Sequence, residues 1–99
     1  MVSIILWSNE AIASYGRFVN TRSSKWTLRD ADNFKNYTHA TLELLKTQPQ
    51  LGDPTTYKAN IRKIQIRTRM MLIYRHVPDS DTIELIQFYN TLQTNDSVV

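Results

Sequence analysis

The sequence predicts an α+β fold of order β-α-α-β-β-β, with a helical hairpin packed on one face of a small, mainly antiparallel sheet. Three observations predict it. Apolar residues recur at helical spacing between Ala11 and Leu45, the period drops to two from Ile61 onward, and a separate apolar run, Ile4-Ile5-Leu6, precedes the helices. A chain of 99 residues with 41% hydrophobic and 21% charged residues suits one folded domain with one modest core. We assign residues 1–93 to that domain and 94–99 to a C-terminal tail.

The first strand ends at Trp7-Ser8. Ser8 is suited to accept an orphan amide of a first helix running from Asn9 to Asn20, and Glu10 suits the positive end of that helix. Ala11, Tyr15, Phe18 and Val19 form its apolar face, and Gly16 is expected to mark close approach of a second helix. Thr27 and Asp30 stand at capping-box spacing and open the second helix, with Trp26 expected to staple onto Ala31. Leu28, Ala31, Phe34, Thr38, Leu42 and Leu45 form the stripe that joins the hairpin. Gln48-Pro49 stops it, and Leu51-Gly52-Asp53-Pro54 reads as loop.

Three strands follow, Ile61–Arg67, Met70–His76 and Thr82–Tyr89, with Thr68-Arg69 and Pro78–Asp81 as turns. Those turns set a register in which Ile64 faces Ile73, Ile73 faces Ile86 and Arg75 faces Glu84. Opposed residues share a face. Ile64, Ile66, Met71, Ile73, Ile86 and Phe88 are therefore expected under the helices. Arg62 and Arg75 fall at that margin, where carboxylates such as Glu84 are their expected partners. The opposite face collects Ile61, Lys63, Gln65, Arg67, Met70, Leu72, Tyr74, His76, Ile83, Leu85, Gln87 and Tyr89. An apolar patch of that size requires cover from a partner or the tail.

Composition narrows the chemistry. The absence of cysteine excludes a disulfide framework, a thiolate metal site and a cysteine nucleophile, and a reducing, cytoplasmic location is expected. The opening MVSIILW lacks a basic leader and reads as a strand rather than a signal peptide. No stretch approaches the roughly 20 apolar residues of a membrane span. Net charge is +3, and half of the twelve lysines and arginines lie in Pro54–Pro78, which holds no Asp or Glu. Asp30 and Asp32 are explained by a helix N-terminus, and His39 by a surface position. No metal-ligand spacing, phosphate loop or Ser/His/Asp set is present, and no cofactor is expected.

The order of elements and several motifs resemble the RelE/ParE superfamily of bacterial type II toxin–antitoxin toxins. The likeness rests on Trp7-Ser8 with Ala11, on Ala31 with Phe34, and on Leu44-Leu45 before Gln48-Pro49. It continues through Ile61-Arg62-Lys63, Leu72-Ile73-Tyr74-Arg75 and Thr82-Ile83-Glu84-Leu85-Ile86. The resemblance implies a toxin wrapped by the C-terminal segment of a cognate antitoxin. Its target is DNA gyrase in ParE-like members and mRNA on the ribosome in RelE-like members. The long helical hairpin leans towards ParE.

In the cleaving branch the resemblance points to Lys63, Arg67, Tyr74 and His76 as the catalytic set. Cations there stabilise a phosphorane while His76 or Tyr74 handles the proton. Leu92 stands where many relatives carry an arginine, which counts against cleavage. Ile61, Met70, Leu72, Ile83, Leu85 and Tyr89 are the expected partner-binding residues, with homodimerisation as a rival form of cover. Two further readings stay open: an inactive relative that only binds an antitoxin, and a small basic RNA-binding domain.

Overall fold

The structure, a computed structural model, describes residues 2–21, 23, 25–56, 60–67 and 69–91. Its elements are β1 (Ile4–Trp7), α1 (Asn9–Asn20), α2 (Leu28–Thr47), β2 (Asp53–Pro54), β3 (Ile61–Arg67), β4 (Met70–Val77), a short 3-10 turn (Pro78–Ser80) and β5 (Thr82–Asn90). The sheet runs β1-β5-β4-β3-β2, with β1 parallel to β5 and the other pairs antiparallel. The sheet thus has one strand more than expected. Asp53-Pro54, read from sequence as loop, pairs with Arg62 and Lys63 at the edge. Proline is tolerated there because an edge strand needs no donor on its outer side. Leu92 and the tail lie outside the described residues.

Both helix starts follow local rules. Ser8 Oγ accepts the amide of Ala11 at 2.9 Å. Thr27 and Asp30 form the full capping box, with the Asp30 carboxylate accepting the Thr27 amide at 2.8 Å. That bond and a second one from the Thr27 hydroxyl hold the Asp30 carboxyl below its ordinary range. Trp26 ties the hairpin together: its indole N–H donates to the Phe18 carbonyl at 2.6 Å, and its ring packs against Phe18 and Phe34. Leu28, expected in the seam, lies at the helix start and is exposed. Gly16 is not a close-approach position, since a Cβ there would meet only Asn20 Nδ2, at an ordinary 3.9 Å.

The core forms between the hairpin and one face of the sheet. Ala11, Phe34 and Leu45 bury against Ile66, Met70, Leu72, Tyr74, Ile83, Leu85 and Phe88. Its aromatic centre links Trp7, Tyr15, Phe34 and Phe88, with ring centroids 5.1–5.8 Å apart. Such edge-on and tilted pairs gain quadrupolar attraction beyond their area burial.

The face under the helices differs from the sequence expectation, and two bulges explain the difference. Near each turn the register is as expected: Arg67 opposes Met70, and Arg75 opposes Glu84. Ile66 is then an extra residue in β3, so Gln65 opposes Met71 and Ile64 opposes Leu72. Ile86 is an extra residue in β5, so Tyr74 opposes Leu85 but Ile73 opposes Gln87. A shift of one residue moves a strand's side chains to the opposite face. Ile64, Ile66 and Phe88 do serve the core. Met71, Ile73 and Ile86 are only half-buried, and Met70, Leu72, Tyr74, Ile83 and Leu85 take the places beneath the helices.

The bulge in β5 is held by two serines of the α1 region. β1 ends at Trp7, which leaves the neighbouring edge of β5 without strand partners from Ile86 onward. Ser8 Oγ donates to the Ile86 carbonyl at 2.8 Å, and Ser14 Oγ accepts the Phe88 amide at 3.0 Å. Ser14 is fully buried, and its own proton goes to the Glu10 carbonyl at 2.7 Å. Buried backbone polar groups require such partners, so the helix finishes the edge that the short strand leaves open.

Candidate functional site

The face of the sheet turned away from the helices is the candidate site. Strand pairing arranges it in rows: Leu6, Glu84, Arg75 and Ile61; then Gln87, Ile73 and Lys63; then Tyr89, Met71 and Gln65. Arg75 Nε donates to Glu84 Oε1 at 2.7 Å within the first row. The expected Arg75–Glu84 pair therefore forms, but on the open face rather than at the helix margin. Pro54, Thr56, Lys63, Ile73, Gln87 and Tyr89 border a shallow groove of about 440 Å³.

The four expected catalytic residues do not share this face. Lys63 is exposed beside the groove and makes no ion pair among the described residues. Arg67 follows the β3 bulge to the helix side, where its guanidinium carbon lies 5.2 Å from the centroid of the Tyr37 ring. That position gives Arg67 a cation–π contact with α2. His76 opposes buried Ile83 and is itself half-buried on the core side of β4.

Tyr74 is fully buried. Its hydroxyl donates to the Pro49 carbonyl at 2.8 Å and accepts the Gly52 amide at 2.9 Å. Burial pushes its phenol above the ordinary tyrosine value, with the Gly52 amide partly offsetting that rise. A hydroxyl occupied at both donor and acceptor, and harder to ionise, clamps the loop after α2. Gly52 is required by the same clamp: a Cβ there would lie 2.7 Å from the Lys63 carbonyl oxygen and 2.9 Å from the Tyr74 hydroxyl. Arg62 closes the loop from the side, donating to the Gly52 carbonyl at 2.8 Å and the Gln50 carbonyl at 3.3 Å. Its partners are backbone carbonyls rather than carboxylates.

The expected partner-binding set is likewise divided. Ile61 and Tyr89 lie on the open face, opposite Arg75 and Met71. Met70, Leu72, Ile83 and Leu85 are 0–1% exposed in the core and offer a partner no surface. Sequence reasoning missed Leu6, Met71, Ile73 and Glu84 as open-face residues. The signal for Leu6 was present: strand alternation puts Ile4 and Leu6 on one face and Ile5 and Trp7 on the other. Among the described residues no cluster of three or more histidine, aspartate or glutamate side chains is placed to hold a metal, and no helix is long and apolar enough to cross a membrane. Lys63 is the one unpaired cation bordering the groove among the described residues, beside the aliphatic Ile73, the Gln87 amide and the Tyr89 phenol. That combination suits binding of an extended, partly acidic segment more directly than proton transfer.

The family model described as ParE toxin of type II toxin-antitoxin system, parDE, matches residues 5–92. No curated protein sequence matches the chain. Several solved structures share the fold at low identity. The isolated Escherichia coli RelE toxin is 10% identical with a TM-score of 0.65, over 97% of this chain and 98% of that one. The toxin of the intact E. coli RelBE toxin–antitoxin complex is 11% identical with a TM-score of 0.65, over 88% of this chain and 94% of that one. A metal-bound toxin from Helicobacter pylori is 15% identical with a TM-score of 0.67, over 94% of this chain and 98% of that one.

Proposed function

The chain belongs to the ParE toxin family of type II toxin–antitoxin systems, and from that premise we propose that it arrests growth by inhibiting DNA gyrase through binding. A cognate antitoxin neutralises it by covering the open face of the sheet. One observation carries the preference for binding over RNA cleavage: Lys63 and Tyr74 lie on opposite faces, with the Tyr74 hydroxyl committed to Pro49 and Gly52. General acid–base work needs its groups within hydrogen-bond reach of one substrate. The family match supports the same preference.

An antitoxin partner is supported by the E. coli RelBE complex, which has this fold. On this chain the antitoxin meets Lys63, Ile73 and Tyr89, and its segment carries acids that complement the basic stretch at residues 54–78. A second reading, cleavage of mRNA on the ribosome, draws on Lys63 and Tyr89 bordering the same groove.

Induced expression without the antitoxin tests toxicity itself, and arrested growth is the expected result. Normal growth at confirmed soluble expression removes the proposal in favour of an inactive, antitoxin-binding relative. A translating extract supplied with labelled mRNA and the purified chain separates the two modes. Intact mRNA is expected, and mRNA loss that Lys63→Ala abolishes establishes the cleaving mode instead.

A further inference from the structure

The two edges of the sheet differ in chemistry. One is β2, two residues long and ending in proline, beside the basic strand β3. The other is β1, whose surroundings from Val2 to Ser8 contain no charge, no proline and no glycine. Natural edge strands are usually protected by lysine, proline, a bulge or a covering element. β1 has the first three at none of its positions.

Its backbone is also poised for pairing. The amides of Ile4 and Ser8 donate inward, to Asp81 and Leu85. Alternation along a parallel strand therefore turns the N–H and C=O groups of Ile5 and Trp7 outward. On the open face Ile4 and Leu6 stay 45% and 51% exposed beside that edge.

We infer that β1 is a docking edge for a second copy of this chain, joining two sheets through antiparallel β1–β1 pairing about a two-fold axis at Leu6. In that register Ile5 of each copy opposes Trp7 of the other, so both outward donors and both outward acceptors of each strand are used. Leu6 packs on its symmetry mate as the close, non-hydrogen-bonded pair, with the two Ile4 side chains as diagonal neighbours. The contact is isologous and closes at two.

Charge disfavours an acidic segment at this edge and leaves self-pairing unopposed. An acidic segment is drawn to β3, three strands away, whereas β1 offers it no cation. Two copies carry +3 each, but the basic β3 strand lies roughly 14 Å from β1 at ordinary strand spacing, beyond a Debye length of about 8 Å in physiological salt. The nearest charge to Leu6 on that face is Glu84, already neutralised by Arg75.

Sedimentation of the purified chain over a concentration series tests the pairing. A mass rising to twice that of the single chain is expected. Leu6→Lys should hold the mass at one chain, while Leu28→Lys, at another exposed leucine, on α2, should leave the doubling intact. Hydrogen exchange on the unaltered chain gives a second reading, with the Ile5 and Trp7 amides gaining protection as concentration rises. A single-chain mass at every concentration overturns the inference, as does doubling that survives Leu6→Lys. Protection of those two amides only on adding the antitoxin overturns it as well and assigns the edge to that partner. None of these readouts depends on gyrase or growth arrest.

Discussion

The buried Ser14 hydroxyl accepts the Phe88 amide at 3.0 Å, joining α1 to β5 across 74 positions of sequence. It sits beside the bulge at Ile86 and helps fix which side chains of β5 face the helices. Ser14→Ala leaves the Phe88 amide buried without a partner. A stability loss of about 1–3 kcal/mol is expected, read as a lower urea midpoint with unchanged slope, together with faster hydrogen exchange at Phe88.

The two glycines should respond to alanine with opposite signs. At Gly16 the space is open and the helix gains from a better helix former, so Gly16→Ala should stabilise by about 0.4–1 kcal/mol. At Gly52 the new methyl meets the Lys63 carbonyl and the Tyr74 ring, both held in place. Gly52→Ala should cost about 1–3 kcal/mol. Thermal unfolding of the pair checks both signs at once.

Tyr74 carries a pH dependence. Its phenol is raised in the folded chain relative to the unfolded one, so its contribution is fully present below the unfolded value near 10 and is lost as pH rises through the higher folded value. Tyr74→Phe should flatten that alkaline decline. Because it also strands the Gly52 amide, it should cost about 1–3 kcal/mol at neutral pH. Growth arrest per folded molecule should persist, since the hydroxyl serves the loop and not a reaction. Asp30 acts in the opposite sense: its lowered carboxyl contributes above the ordinary aspartate range and is lost as pH falls through its folded value.

Arg75 and Glu84 form a short ion pair, but both side chains are more than a third exposed. Solvent screening and the entropy of holding two long side chains limit such pairs. A double-mutant cycle through Arg75→Ala and Glu84→Ala should return a coupling of about 0–1 kcal/mol.

What sequence reasoning captured was local. Ser8, Thr27 with Asp30, and the helical spacing of Ala31, Phe34, Thr38 and Leu45 act within one or two turns of chain, and all appear as expected. The turn-proximal pairs Arg67–Met70 and Arg75–Glu84 were legible for the same reason. The faces of the sheet were not. Ile66 and Ile86 look like any other strand residues, and the bulge at Ile86 is held by the Ser8 bond to its carbonyl and the Ser14 bond to the Phe88 amide, both from far away in sequence. Because the side-chain period is two, the missed bulges left Ile64, Ile66 and Phe88 on the expected face but exchanged core for surface along β4 and in β5 before Ile86. That exchange put Tyr74, Leu72 and Leu85 on the wrong face and left Ile73 out of the candidate site; Leu6 was left out separately, although the alternation of β1 alone places it there.

DNA supercoiling by gyrase in the presence of the purified chain tests the central claim most directly. Supercoiling is expected to fall as the chain is added, to return when the antitoxin is present, and to fall equally with His76→Ala. Supercoiling that continues unchanged at concentrations where the chain destroys ribosome-bound mRNA would contradict it.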